Sequence, residues 1–369
     1  MYKKIHLDTP NIGALEKRYL NNAVDAGFVS TVGPFVTEFE ESFAKYLGVK
    51  KSVSTQSGTA AMHIALHELG ISQGDEVIVP VLTFVATVNP IIYVGAKPIF
   101  VDVDRRTWNI EPREIEKSIT EKTKAIIPVH LYGNPCDMNE IMRIARKHNL
   151  YVIEDATESL GAKYHDKHTG TFGDLGCFSF NGNKVITTGG GGMVVGDNKA
   201  RLGHIKFLVN QAKHALKEGH HPEIGFNYRM TNIEAALGLA QMNRLSDFLR
   251  RKKRFRSIYR EELKNVEGIG FQEEYEGAES PWWLNCIYLK KAIDINIVQT
   301  GLKELGIPAR RVFMPLIELP PYKRYGKGDF YNARNIYEKS LCLPSSTVNS
   351  EEDIKFVCRH IKKLLKSEL

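Results

Sequence analysis

The chain has 369 residues, of which 43% are hydrophobic and 25% charged, with a formal net charge of +7. That length suits about two domains, and the composition is that of a globular protein rather than a disordered or fibrous one. No run of about 18 apolar residues is present to span a membrane, and five scattered cysteines without a Cys-x-x-Cys pair indicate neither a disulfide framework nor a zinc site.

The opening stretch, MYKKIHLDTPNIGALEKRY, has no apolar core of the signal-peptide kind, so a reducing cytoplasm is the expected setting. From about residue 50 to 200, short apolar runs alternate with helical patterns. EVIVPVL (76–82), KPIFVDV (97–103), KAIIPVHLYG (124–133), LYVIEDA (150–156), CFSFN (177–181) and GGMVVG (191–196) read as strands. Several are apolar on both alternating faces, as expected for strands buried under helices on two sides. TAAMHIALHELG (59–70), PREIEKSI (112–119) and MNEIMRIARKHN (138–149) read as the intervening helices. Such alternation predicts a mostly parallel α/β sheet, and ligands of such sheets sit beyond the carboxyl ends of the strands.

After about residue 235 the pattern changes. One long helix is predicted over 234–264, followed by SPWWLNCIYL (280–289), TGLKELGIPARRVFMPL (300–316) and a final helix at 351–366. The expected division is a large α/β domain over 1–240 and a smaller α+β domain over 241–369. The basic run RRKKRFRSIYR (250–260) resembles a nucleic-acid patch. However, Leu245, Phe248, Leu249, Phe255, Ile258, Tyr259 and Leu263 recur through it at helical spacing, so a solvated basic face is the better reading. Neither a nucleic-acid partner nor a membrane is expected.

The strand ends carry the chemistry. Ser57, Gly58 and Thr59 open a helix, where exposed N–H groups and the helix dipole suit a phosphate; an ordinary N-cap is the plainer alternative. Asp155 stands where the strand through Tyr151–Ile153 runs out, and a carboxylate there needs a cation or serves as a helix cap. Phe84 ends another strand and could cover a planar ring or simply fill core. His130 and Tyr132 end a third, with a structural histidine the commoner case. Asn227 precedes the helix beginning near Ile233 and could cap it. NGNKVITTGGGGMVV (181–195) sets Lys184 ahead of four glycines. It fits neither G-x-x-x-x-G-K-[ST] nor G-x-G-x-x-G, since the lysine comes first and position 194 is valine. Taken together, a phosphate cradle, a strand-end acid, a ring-covering aromatic and a lysine beside glycines are what pyridoxal 5'-phosphate (PLP) requires. The lysine condenses with the cofactor's aldehyde and shuttles a proton, while the acid keeps the ring nitrogen protonated.

The order Ser57-Gly58-Thr59-Ala60, TFVATVN, HLYGNPCDM, IEDATESLG, TGTFGDLGCFSFNGNKVITTGGGGM, GFNYRMTNIEAALGLAQ and CLPSS resembles the DegT/StrS-type nucleotide-sugar aminotransferases from end to end. The resemblance implies a fold-type I PLP enzyme with a mostly parallel seven-stranded sheet and a smaller C-terminal α+β domain. It implies that Lys184 is the catalytic lysine, Asp155 the partner of the pyridine nitrogen and Phe84 the stacking ring, with Glu158 near the ring hydroxyl. It further implies a phosphate site of Ser57, Gly58, Thr59, Ala60 and Ser179, joined by Asn227 from the second subunit of a homodimer. Asn183 and Arg310 are implied in substrate binding. L-Glutamate is the implied amino donor and a nucleotide-linked 4-keto-6-deoxy sugar the acceptor. SFNGNK and TGGGGM are closer to enzymes of UDP-linked N-acetylhexosamines, while IIPVHLYGNPCDM and YRMTNIEAALGLAQ equally resemble GDP-perosamine synthases; the UDP-linked sugar is the expected substrate, for a surface glycan or polysaccharide. Relatives that dehydrate sugars carry histidine in place of the lysine, and a regulatory protein on this fold would be expected to have lost part of the constellation. Arg311 stands where the family's T-R-P-x-[WF] stretch has proline, and Gly190 where many relatives have glutamate.

Overall fold

The computed structural model describes residues 4–290 and 293–367. In chain order its strands are β1 (Lys51–Thr55), β2 (Glu76–Pro80), β3 (Lys97–Val101), β4 (Thr123–Ile126), β5 (Tyr151–Asp155), β6 (Lys163–Tyr164), β7 (Lys167–His168), β8 (Leu175–Ser179), β9 (Gly192–Gly196), β10 (Ile269–Phe271), β11 (Ala278–Glu279), β12 (Asn285–Leu289), β13 (Arg310–Arg311) and β14 (Ser340–Leu343). The helices are α1 (Ala14–Asp25), α2 (Pro34–Leu47), α3 (Gly58–Glu68), α4 (Val85–Tyr93), α5 (Pro112–Ser118), α6 (Met138–His148), α7 (Lys199–Leu208), α8 (Asn232–Met242), α9 (Leu245–Leu263), α10 (Ile295–Glu304), α11 (Tyr331–Lys339) and α12 (Glu351–Ser367).

A seven-stranded sheet runs in the order β1-β9-β8-β5-β4-β2-β3. Neighbours from β8 through β3 pair in parallel, and β9 alone lies antiparallel to both β8 and β1. This is the mostly parallel sheet expected, with β1 as an addition that the periodicity of KSVST was too short to reveal. The inner strands are buried throughout: β2 and β9 expose no residue. Ile64, Val77, Val79, Ile153, Val194 and their neighbours form one apolar core, and Ile78, Ile126 and Val152 join Ile141 and Ile144 of α6 in another.

A second, four-stranded antiparallel sheet runs β10-β12-β14-β13. Its own core of Phe255, Ile258, Tyr259, Val298, Leu302, Ile354 and Ile361 is formed under α9, α10 and α12. The helix predicted over 234–264 is two helices, because Asn243 and Arg244 interrupt it between α8 and α9. Apolar residues on both sides of that break keep the helical spacing, so periodicity alone did not reveal it. We propose that the two domains divide close to this break, after residue 240 near the end of α8.

The basic face of α9 is only partly solvated. Lys252 and Arg256 turn inward and are 4% and 8% exposed. The Arg256 guanidinium lies 3.6 Å from the centre of the Trp282 ring. The Lys252 Nζ donates to the carbonyl oxygens of Trp283 at 2.8 Å and Ser345 at 3.0 Å. Burial pushes this amine down to about 7, against the opposing pull of Asp8. A neutral amine has two N–H donors, which matches the two carbonyls it meets. In Lys252→Met both buried acceptors lose their partner, so a loss of about 2–4 kcal/mol is expected. The lysine binds a proton more readily when unfolded, so wild-type stability contains a contribution that grows as pH rises from about 7 towards 10. Denaturant titrations should therefore show the gap between wild type and Lys252→Met widening with pH over that window; a gap that narrows would refute the neutral assignment.

Candidate active site

Four parallel strands deliver their carboxyl ends to one pocket of about 280 Å³. β1 leads through Ser57 into α3, β2 leads to Phe84, β5 ends at Asp155 and β8 ends at Ser179. The antiparallel β9 begins at the same edge, so the glycine run lies there too. Ser57, Gly58, Thr59, Phe84, Asp155, Glu158, Ser179, Asn183, Lys184 and Arg310 all line this pocket. Two expected members do not. Ala60 is the third residue of α3, and its N–H donates to Ser57 Oγ at 3.1 Å. Asn227 lies outside the pocket of its own chain, paired with Asn210.

At the start of α3 the backbone offers N–H donors to the pocket. Amides of Gly58 and Thr59 precede the first helical hydrogen bond, which Ala61 N–H makes to the Ser57 carbonyl at 3.0 Å. Close packing against the glycine run makes this possible. A Cβ on Gly192 would lie 2.5 Å from the Ser57 carbonyl, and one on Gly58 2.8 Å from Ser179 Cβ. Gly189 and Gly191 hold φ of +90° and +85°, where a side chain is strained. The four glycines thus turn the chain tightly from the lysine loop into β9. At Gly190 a Cβ would come 3.3 Å from Glu234 Oε1, so a glutamate there would bring two carboxylates together.

Gly58→Ala should therefore push Ser179 out of place. Its expected effect is at least a tenfold weaker PLP affinity with a stability loss of about 1–3 kcal/mol. Fluorescence titration of the apoprotein with PLP measures the first and thermal melting the second; unchanged affinity would remove Gly58 from the cradle.

Asp155 is 4% exposed and fully bonded on both oxygens. Oδ2 accepts from Thr87 Oγ1 at 2.7 Å, and Oδ1 accepts from the Thr157 hydroxyl at 2.6 Å and the Thr157 N–H at 3.1 Å. These donors fix the buried carboxylate in place, and Glu158 and Lys184 both lie close enough to interact with it electrostatically. Lys184 sits on the loop after β8, its Nζ 3.6 Å from Glu158 Oε1 and 4.0 Å above the Trp283 ring. Burial lowers the pKa of Lys184, while Glu158 and Asp155 oppose the fall. Burial likewise raises that of Glu158, with Lys184 opposing. The pair is thus balanced so that a proton can leave the amine more readily than from an ordinary lysine. Glu158 is itself anchored by the Tyr132 N–H, which donates to Oε2 at 2.8 Å.

Met62, Ala86, Thr87, Thr157, Asn181, Trp283 and Phe313 are pocket members that sequence reasoning did not place there. Thr157 follows Asp155 by two residues, which is a local turn signal. Trp283 and Phe313 come from the second sheet's side of the chain, and only folding brings them over the lysine. Trp283 Nε1 donates to the Asn183 carbonyl at 2.7 Å. Asn183 Nδ2 donates to Asp8, and the Arg310 guanidinium lies 3.6 Å from the same carboxylate. Arg311 turns away and donates to the Tyr337 carbonyl, so arginine in place of proline leaves the pocket side of β13 to Arg310. His130 is structural: its Nδ1 accepts from Cys136 N–H and its Nε2 faces Glu154 at 3.1 Å. Among the described residues no helix is long and apolar enough to cross a membrane.

The pocket thus gathers a helix N-terminus, a buried carboxylate, an aromatic ring and a half-buried amine in one place. Residues 10–362 match the DegT/DnrJ/EryC1/StrS aminotransferase family, and the chain belongs to it. It is 40% identical to the GDP-perosamine synthase of Escherichia coli, with 98% of each chain covered. It is 35% identical to a UDP-N-acetyl-3-dehydro-alpha-D-glucosamine 3-aminotransferase from Acidithiobacillus ferrooxidans, over 92% of this chain and 91% of that one. Its structure superposes with a TM-score of 0.94 on the PLP form of a protein assigned as a sugar aminotransferase from Streptococcus pneumoniae, at 26% identity and full coverage of both chains. The protein is a PLP-dependent sugar aminotransferase of fold-type I.

Proposed function

We propose that this enzyme moves the amino group of L-glutamate onto the keto carbon of a nucleotide-linked 4-keto-6-deoxyhexose, with Lys184 as its catalytic residue. The observation that carries this reading is the convergence of Lys184, Glu158 and a donor-locked Asp155 on one pocket beside the α3 N-terminus. PLP, when bound, supplies an aldehyde that carries the amino group and a ring that takes up electrons from the reacting carbon.

The chain's own residues do the rest. Ser57, Gly58, Thr59 and Ser179 hold the phosphate; Ala60, by donating to Ser57 Oγ, leaves that hydroxyl's proton free to be given to it. Asp155 keeps the ring nitrogen protonated. Phe84 covers one ring face and Glu158 lies by the ring hydroxyl. Lys184 removes a proton from the donor's carbon and returns one to the sugar carbon. Asn183 and Arg310 orient the substrate, with Arg310 on its phosphates. Asn227, outside its own chain's pocket, reaches the site of the partner in a homodimer.

Similarity to GDP-perosamine synthases supports a GDP-linked sugar over the UDP-linked one favoured by the SFNGNK and TGGGGM stretches. The UDP-sugar relative keeps the second reading in play. Incubation with glutamate and GDP-, UDP- and dTDP-linked 4-keto-6-deoxy sugars, followed by NMR of the products, is the test. GDP-4-keto-6-deoxymannose is expected to be consumed fastest, with stoichiometric 2-oxoglutarate. Turnover of the UDP sugar alone would reassign the nucleotide, and turnover of none would overturn the reading.

A further inference from the structure

A second cleft, of about 590 Å³, lies between the loop after β3 and the small sheet. It shares no lining residue with the active-site pocket. Six cations line it: Arg105, Arg106, Arg260, Lys264, Lys290 and Lys339. Among the described residues Glu273 is its one carboxylate, and Arg106 already holds it at 2.7 Å. Among the described residues no salt bridge engages the other five cations. Like charges crowded into one concavity repel each other, and a cleft of a single sign concentrates anions from solution.

The cleft also has flat apolar surfaces. Trp108 and Ile336, each 1% exposed, belong to its buried floor, and Tyr288 and Phe271 form its walls. Arg260 lies 5.1 Å from the Phe271 ring centre and Lys339 6.0 Å from that of Tyr288. Tyr331, 65% exposed, stands at the rim, and among the described residues no ring contact engages it. Nothing in the proposed transamination uses this ring. The volume falls in the range of small-molecule sites and far exceeds that of a single phosphate. Cations next to aromatic faces suit a ligand that joins adjacent phosphates to a planar base.

We propose that this cleft is a second, non-catalytic binding site for a nucleoside diphosphate. The phosphates meet Arg105, Lys264 and Lys290, and the base lies against Tyr331 or Tyr288. The site rests on its own residues and holds whichever sugar the enzyme aminates. Tyr288 lies on β12 and Arg310 on β13, strands joined through β14, so one sheet carries both the cleft wall and the proposed substrate arginine.

Calorimetric titration of the full-length, PLP-loaded enzyme with GDP tests this. Arg105→Glu combined with Lys264→Glu, two exposed positions without salt bridges, should weaken one binding event at least tenfold. Arg310→Ala should leave that event intact, which separates it from nucleotide binding at the active site. Tyr331→Ala, a second exposed change, should weaken the same event even if the double variant folds poorly. If no GDP binding event responds to either cleft variant, the proposal is overturned. It is equally overturned if an RNA oligonucleotide or an anionic vesicle binds through these residues while GDP does not.

Discussion

Lys184→Ala is expected to yield a folded protein that lacks the near-visible absorption of the PLP-loaded enzyme and turns over about 10,000-fold more slowly. Two losses combine in this change. The amine that holds the aldehyde is gone, and so is the group that transfers the proton, itself worth up to about 10,000-fold when well placed. Burial has already lowered the lysine's pKa, so the wild-type amine gives up its proton below the range of an exposed lysine. The fold should survive, because the Lys184 Nζ makes one long ion pair with Glu158 and a contact with Trp283, neither of which spans the core. Absorbance with and without glutamate, together with coupled assay of 2-oxoglutarate, measures both effects. Retention of the band and of appreciable turnover in Lys184→Ala would move the catalytic role to another residue.

Asp155→Asn should separate binding from chemistry. The amide is isosteric but carries no negative charge, so it cannot hold a proton on the ring nitrogen. Loss of one preorganised electrostatic stabiliser costs about 100- to 1,000-fold in kcat. Lys184 is untouched, so the near-visible absorption should persist while turnover collapses. The amide also brings N–H donors to a place where Thr87 and Thr157 already donate, so a modest fall in melting temperature is expected as those hydroxyls turn. Single-turnover kinetics with glutamate isolate the step. Turnover within about fivefold of wild type would mean that Asp155 is only a structural cap, the plainer reading of its place at the end of β5.

Much of this architecture was legible from local pattern. Apolar residues on both alternating faces marked β2, β4, β5 and β9 as strands largely covered by helices, because such strands lack the polar face of a half-exposed one. Ser57, Asp155 and Lys184 were legible because each stands at a strand end beside a change of pattern. The break between α8 and α9 was not, since Asn243 and Arg244 interrupt the helix without disturbing the spacing of its apolar face. The inward turn of Lys252 and Arg256 was hidden for a related reason: a long basic side chain can bury its stem and find carbonyls or rings at its tip.

Residue order alone thus sufficed for the α/β class, and it singled out Lys184, Asp155 and the glycine run, which the fold brings to one pocket at the strand ends. These depend on period, turn chemistry and spacing along one chain, all of which act over a few residues. Folding was needed to bring Thr87 and Thr157 onto the two oxygens of one carboxylate, and Trp283 over Lys184 from nearly a hundred positions away. The same holds for the six cations of the second cleft, which come from four separate stretches of chain. Such contacts are set by how the two sheets dock, and no local periodicity records which side chains will meet there.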